Sequence, residues 1–145
     1  MTTDLTVEFA KLSPDAIIPT QGTPQAAGWD LYALEETTVR RNVSSMIRTG
    51  LAVAIPEGWE GQIRCRSSLG KKGMIMPNGI GTIDSDYRGE VKILAINLGE
   101  EPIEITHGMR IAQMIIAPVI QAEFDEAETL DGTIRGTSGF GSTGQ

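Results

Sequence analysis

The chain has one cysteine and one histidine, which excludes an internal disulfide and a zinc site built from clustered thiolates and imidazoles. A solitary Cys65 fits a reducing compartment. Long hydrophobic runs are missing too. The longest, Ile111–Ile120, is broken by Gln113 and Pro118 and falls well short of the roughly 20 residues of a membrane span. Residues 1–20 lack the basic start and apolar stretch of a secretory signal. With Met1, Thr2 and Thr3 at the front, the expectation is an untrimmed, cytoplasmic protein. Positive charge is scarce: 12 Lys and Arg against 19 Asp and Glu give a net charge of −7. A duplex binder presents a basic face, so neither a nucleic-acid polymer nor a membrane is expected as a partner. A small anion remains possible, because a few converging arginines can outweigh a diffuse negative background.

What is present is enough for one domain with a real core: 145 residues, 40% apolar and 21% charged. Period-2 alternation dominates. Leu5–Lys11, Gly50–Pro56, Glu60–Arg66, Glu90–Leu98 and Arg110–Val119 all read as strands. Pro56–Gly58, Asn97–Pro102 and Thr106–Gly108 supply the turn chemistry between them. The one helical candidate is short, Ser67–Gly73, with Ser67 as cap and a glycine stop behind. Many short strands predict an all-β sandwich or barrel. After Ala122 an acidic stretch, EFDEAETLDG, leads into a glycine-rich tail.

Several short stretches could carry chemistry. In NGIGTIDSDYRGE, Asn78–Glu90, the glycines predict a bend or a backbone approached by a ligand. Asp84 and Asp86 would share a face on regular strand, but an acid beside a tyrosine is also ordinary turn chemistry. In RCRSSLG, Arg66 enters a capped turn whose N–H groups suit a phosphate, or else Ser67 merely caps the helix. Asp30 sits in the apolar stretch AAGWDLYA, a costly position unless it is paired or liganded. Arg110 and Gln113 likewise fall within a hydrophobic strand. His107, before a glycine, reads as a turn residue. Cys65 lies between two arginines that could lower its pKa, but with no second thiol or positioned histidine it reads as an inert core residue.

Five segments in this order, AGWDLYA, RSSLG, NGIGTIDSDYRGE, GMRIAQ and RGTSGFGSTG, resemble the five motifs of the trimeric dUTPase family, the deoxyuridine 5′-triphosphate nucleotidohydrolases. The resemblance runs from about residue 26 to 144. It implies a distorted jelly-roll or barrel-like β sandwich with one short helix, spanning 1–131, and a flexible C-terminal arm at 132–145. It also implies a homotrimer with shared active sites, and a dUTP diphosphatase using Mg²⁺ to release dUMP and pyrophosphate. That activity keeps uracil out of DNA and supplies dUMP for thymidylate synthesis.

By the same resemblance, Asp84 is the base that orients and deprotonates the water attacking the α-phosphorus. Tyr87 packs under the deoxyribose and excludes a 2′-hydroxyl. Asn78, with Gly81, Thr82 and Ile83, reads uracil, and Lys92 falls where the family also touches substrate. Arg66, Ser67 and Ser68 hold the α- and β-phosphates, with Gln113 nearby. Asp30 reaches Mg²⁺ through water, which suits an ion that keeps several waters and leans on substrate phosphates. In the arm, Phe140 stacks on uracil, Arg135 grips the γ-phosphate, and Gly141, Ser142 and Thr143 approach the phosphates. Ordering such an arm costs about as much as one base stack and a few charged hydrogen bonds return, so it is expected to close only over substrate.

Cys65, Ser68, Trp29 and Met109 depart from the family's usual residues, and none of these changes removes a proposed catalytic group. Two rival readings are a dCTP deaminase-like enzyme and a non-catalytic nucleotide-sensing module. The deaminase's working glutamate would fall at Leu94, where no proton transfer is possible.

Overall fold

The computed structural model describes residues 5–141. Among these, the elements run β1 (Glu8–Lys11), β2 (Trp29–Tyr32), β3 (Thr37–Val39), β4 (Ser45–Ala54), β5 (Trp59–Cys65), α1 (Ser67–Gly70), β6 (Met74–Ile75), β7 (Gly81–Ile83), β8 (Glu90–Asn97), β9 (Ile103–Ile105) and β10 (Arg110–Pro118). Two four-stranded sheets have the orders β1-β4-β8-β6 and β2-β10-β5-β7, and β3 pairs with β9 in a separate ribbon. Every named pairing is antiparallel. Sheet neighbours lie far apart in the chain, as in the double-sheet jelly roll. No helix among the described residues is long and apolar enough to cross a membrane.

Alternation decides which side chains face inward. On β8, Val91, Ile93, Ala95 and Asn97 are buried while Lys92 points out. Ile47 and Val53 of β4 join them from the same sheet, and Leu31, Ile63, Ile111 and Met114 from the other, in one hydrophobic cluster. Each fully buried aliphatic side chain contributes roughly 1.5–3 kcal/mol, so the shared core fixes the register of both sheets. A slip of one residue would turn every inward side chain out.

The five predicted strands appear within a few residues of their expected spans, except that β4 begins at Ser45, five residues before the predicted Gly50. The helix differs more. Ser67 is its first residue, and Arg66, with extended φ −85° and ψ 140°, occupies the cap position without a side-chain capping bond. Arg66's carbonyl already accepts the Gly70 N–H at 3.0 Å, so the serine enters the helix instead of capping it. The helix stops at Gly70, and Gly73 closes the following turn with φ +101°. Asp84 and Asp86 do not share a strand face, because β7 ends at Ile83 and the Asp84 carbonyl accepts the Tyr87 N–H in a turn. Residues 119–141 contain no strand or helix, and Ile120, Phe124, Leu130 and Ile134 are exposed there.

Candidate active site

β7, the turn after it and β8, which belong to different sheets, build one wall of a cavity of about 410 Å³. Asn78, Gly81, Thr82, Ile83, Asp84, Tyr87 and Lys92 all line it, so the uracil, sugar and base positions predicted from the third motif come together. Met46, Ile63, Met76 and Leu94 add apolar surface. Thr82 and Asp84 also border a broader groove of about 910 Å³, shared with Trp59 and Arg88. Asp84 therefore stands where the two spaces meet, with its side chain exposed.

The turn that carries Asp84 and Tyr87 is tied from within. Tyr87 Oη donates to the Glu90 carbonyl at 2.8 Å, and Arg88 Nη1 donates to the carbonyls of Ser85 and Tyr87 at 2.7 and 3.0 Å. Gly89 leaves room for the ring: a Cβ there would lie 2.4 Å from Tyr87 Oη, and the tyrosine would have to shift. The side chain of Glu90, unassigned by sequence reasoning although it ends the motif, is mostly buried in the cavity wall. Burial pushes its pKa up, but bonds from Arg48 and the Gly50 N–H, with the charges of Arg48 and Lys92, hold it below the ordinary glutamate value. Glu90 in turn raises the Arg48 pKa, mainly through their hydrogen bond.

A second cluster forms where β2, β10 and the start of α1 meet. Asp30 is buried, with Arg66 Nε 3.8 Å from one carboxylate oxygen and Arg110 Nη1 3.7 Å from the other. Arg66 Nη1 also donates to the Arg110 carbonyl at 3.3 Å. Gln113 sits opposite Asp30 in the β10–β2 register and lies over Gly28. Ser67 and Ser68 are exposed beside Arg66. The costly acid in an apolar strand is therefore paired, twice over. Arg110 is the member that sequence reasoning noticed only as a polar residue in a strand. Among the described residues no three His, Cys, Asp or Glu side chains converge to hold a metal on their own.

The two clusters are not adjacent within one chain. Ile83 pairs with Gly61 near the start of β5, whereas Arg66 follows the strand's far end. Described residues 132–141 join neither: Arg135 Nε bonds to the Ser138 carbonyl at 3.0 Å, and Phe140 and Gly141 are exposed. Ser142 and Thr143 lie outside the described residues. Cys65 is half-buried against the core, and burial pushes its pKa up against a weaker backbone hydrogen bond at Met76, with no lowering by the flanking arginines. His107 is a turn residue, its Nδ1 2.7 Å from the Leu34 carbonyl.

The dUTPase family model matches residues 14–144. The deoxyuridine 5′-triphosphate nucleotidohydrolase of Nautilia profundicola is 49% identical over 140 residues, covering 96% of this chain and 99% of its own. That of Zymomonas mobilis is 54% identical over 127 residues, covering 87% of each chain. Among solved structures, a Staphylococcus bacteriophage 80alpha dUTPase with dUPNHPP superposes with a TM-score of 0.88 at 28% identity, covering 99% of this chain and 100% of that one.

Proposed function

The chain belongs to the dUTPase family and is a dUTP diphosphatase, and we propose that it cleaves dUTP at the α-phosphorus with Asp84 as general base. One observation supports this reading: Asn78, Gly81, Thr82, Ile83, Tyr87 and Asp84 line a single cavity. The Asn78 amide can pair with a base edge, and a base held close against the β7 backbone would have its 5-methyl group excluded. Tyr87, held by its own hydroxyl, forms a fixed floor for deoxyribose. Asp84 at the cavity mouth then orients a water and takes its proton, and in-line displacement demands little else beyond positioning and charge neutralisation.

The neutralising charge comes from the second cluster. Arg66, Ser67 and Ser68 face the α- and β-phosphates, with Gln113 beside them. Mg²⁺ fits here as an ion that arrives with the triphosphate. Asp30 offers one carboxylate whose oxygens stand 3.7 and 3.8 Å from guanidinium nitrogens, too far for strong hydrogen bonds. Both oxygens thus keep acceptor capacity for metal-bound water, consistent with an ion that retains several waters. Bound there, the ion would neutralise charge on the phosphate oxygens.

Separation of the Asp84 and Asp30–Arg66 clusters within one chain supports a homotrimer in which neighbouring subunits complete each site. The arm, residues 132–145, would close from another subunit, with Phe140 on uracil, Arg135 on the γ-phosphate, and Gly141, Ser142 and Thr143 alongside. The proposed role is cytoplasmic: removal of dUTP before it enters DNA, and supply of dUMP for thymidylate. Leu94 in the cavity wall offers no acid, which disfavours the deaminase reading. The test is pyrophosphate release from dUTP against dCTP, dTTP and UTP, with and without Mg²⁺. Selective, Mg²⁺-dependent turnover of dUTP supports the reading, and comparable turnover of UTP or dTTP contradicts it.

A further inference from the structure

Arg48 lies outside every motif singled out in the sequence, yet it makes the most complete ion pair among the described residues. Its Nε donates to both oxygens of Glu90 at 3.1 and 3.3 Å, and its Nη2 to Oε1 at 3.1 Å. The Gly50 N–H adds a fourth bond to Glu90 at 3.3 Å. A bulge makes this possible. Pairing of β4 with β8 runs to Arg48↔Lys92 and resumes only at Ala52↔Glu90, so residues 49–51 of β4 oppose Val91 alone. Gly50, at φ +70°, turns its N–H out of the ladder toward the carboxylate. The Thr49 hydroxyl bonds the Val91 carbonyl and receives the Leu51 N–H, which holds the bulge in shape.

Glu90 is fastened at both ends. Its side chain is clamped to the β4 bulge, and its carbonyl accepts the Tyr87 hydroxyl. We infer that the Arg48–Glu90 clamp positions the Tyr87 ring and so sets the choice of deoxyribose over ribose, which rests on the reading of Tyr87 as the sugar's floor. Bidentate, charge-assisted pairing fixes geometry as well as energy. Without Arg48, the mostly buried Glu90 carboxylate loses its main partner, and Lys92, which lines the same cavity and whose charge already acts on Glu90, is left to replace it. Either response moves the Glu90 backbone, and the Tyr87 hydroxyl moves with it.

Two measurements on the full chain test this together, on Arg48→Met, Arg48→Lys, Glu90→Gln and a Tyr87→Ala control. Hydrogen exchange of residues 84–91 should speed up roughly tenfold in Arg48→Met and Glu90→Gln, with residues 110–118 unchanged and Arg48→Lys intermediate, since lysine keeps the charge but not the fork. The UTP-to-dUTP ratio of kcat/KM should rise about threefold or more in the same two variants. Should Arg48→Met fail to fold, Glu90→Gln and Arg48→Lys carry the same readouts. Unchanged local exchange, or acceleration spread evenly over the chain, overturns the clamp. A ratio that moves in Tyr87→Ala but in none of the clamp variants overturns the clamp's role in selectivity alone. A ratio that stays fixed even in Tyr87→Ala overturns the reading of Tyr87 and the inference built on it.

Discussion

Asp84 and Arg66 stand at opposite ends of one strand pair: Ile83 is opposite Gly61, which puts Asp84 level with Glu60, six residues from Arg66 along β5. At about 3.3 Å per residue that is roughly 20 Å. On the shared-site reading proposed above, a group bound at Arg66 therefore meets the Asp84 of another chain.

Mixed assemblies should therefore rescue two inactive parents. A chain cut after Asp131 and an Asp84→Asn chain are each expected to be nearly inactive alone. In a cyclic trimer of either mixed composition, one site in three combines an intact Asp84 with an intact neighbouring arm. Random equal mixing makes roughly three quarters of the trimers mixed, which sets a ceiling of roughly a quarter of wild-type activity. Pyrophosphate release, measured after native mass spectrometry has verified mixed trimers, decides the matter; no gain over the parents refutes shared sites.

Asp84→Asn removes the proton acceptor but keeps the side chain's size. Turnover of dUTP should fall at least about a hundredfold, while nucleotide affinity measured by calorimetry stays close to wild type. Near-normal kcat would mean that another group takes the proton.

Stability should depend on pH through Glu90. Its folded pKa is depressed, so its contribution is fully present above the unfolded value, about 4.3 for a glutamate, and is lost as pH falls through the folded pKa. The melting-temperature advantage of wild type over Glu90→Gln should be constant from pH 7 to about 5 and shrink below about pH 4. An advantage that does not change down to pH 3 argues against the ion pair as its source.

Asn97 offers a test of the core. Its Nδ2 donates to the carbonyls of Val39 and Glu101 at 3.1 and 2.7 Å, and its Oδ1 accepts the Gly99 N–H at 2.8 Å. Asn97→Leu strands three backbone groups around a fully buried position. Urea unfolding at fixed protein concentration should show a loss of about 2–4 kcal/mol; a loss under about 1 kcal/mol would mean water replaces the amide.

Local chemistry was enough for much of this protein. Period-2 alternation located β8 as Glu90–Leu98, one residue longer than observed, because burial of every second side chain is written directly into neighbouring positions. The stretch from Asn78 to Glu90 was legible as a unit through its resemblance to a family motif, whose residues are adjacent in the chain. Strands of two or three residues, β3, β6, β7 and β9, are too short to show a period, and the serine-cap rule failed at Ser67 because the extended backbone at Arg66 took the cap position. Only tertiary structure decided which charges meet. Asp30 finds Arg66 and Arg110 because β2 and β10 pair in one register. Glu90 finds Arg48, 42 residues away, because a bulge in β4 turns an N–H and a guanidinium toward it. Long-range pairing brings such partners together through the packing of the whole sheet, and no short window of sequence contains it.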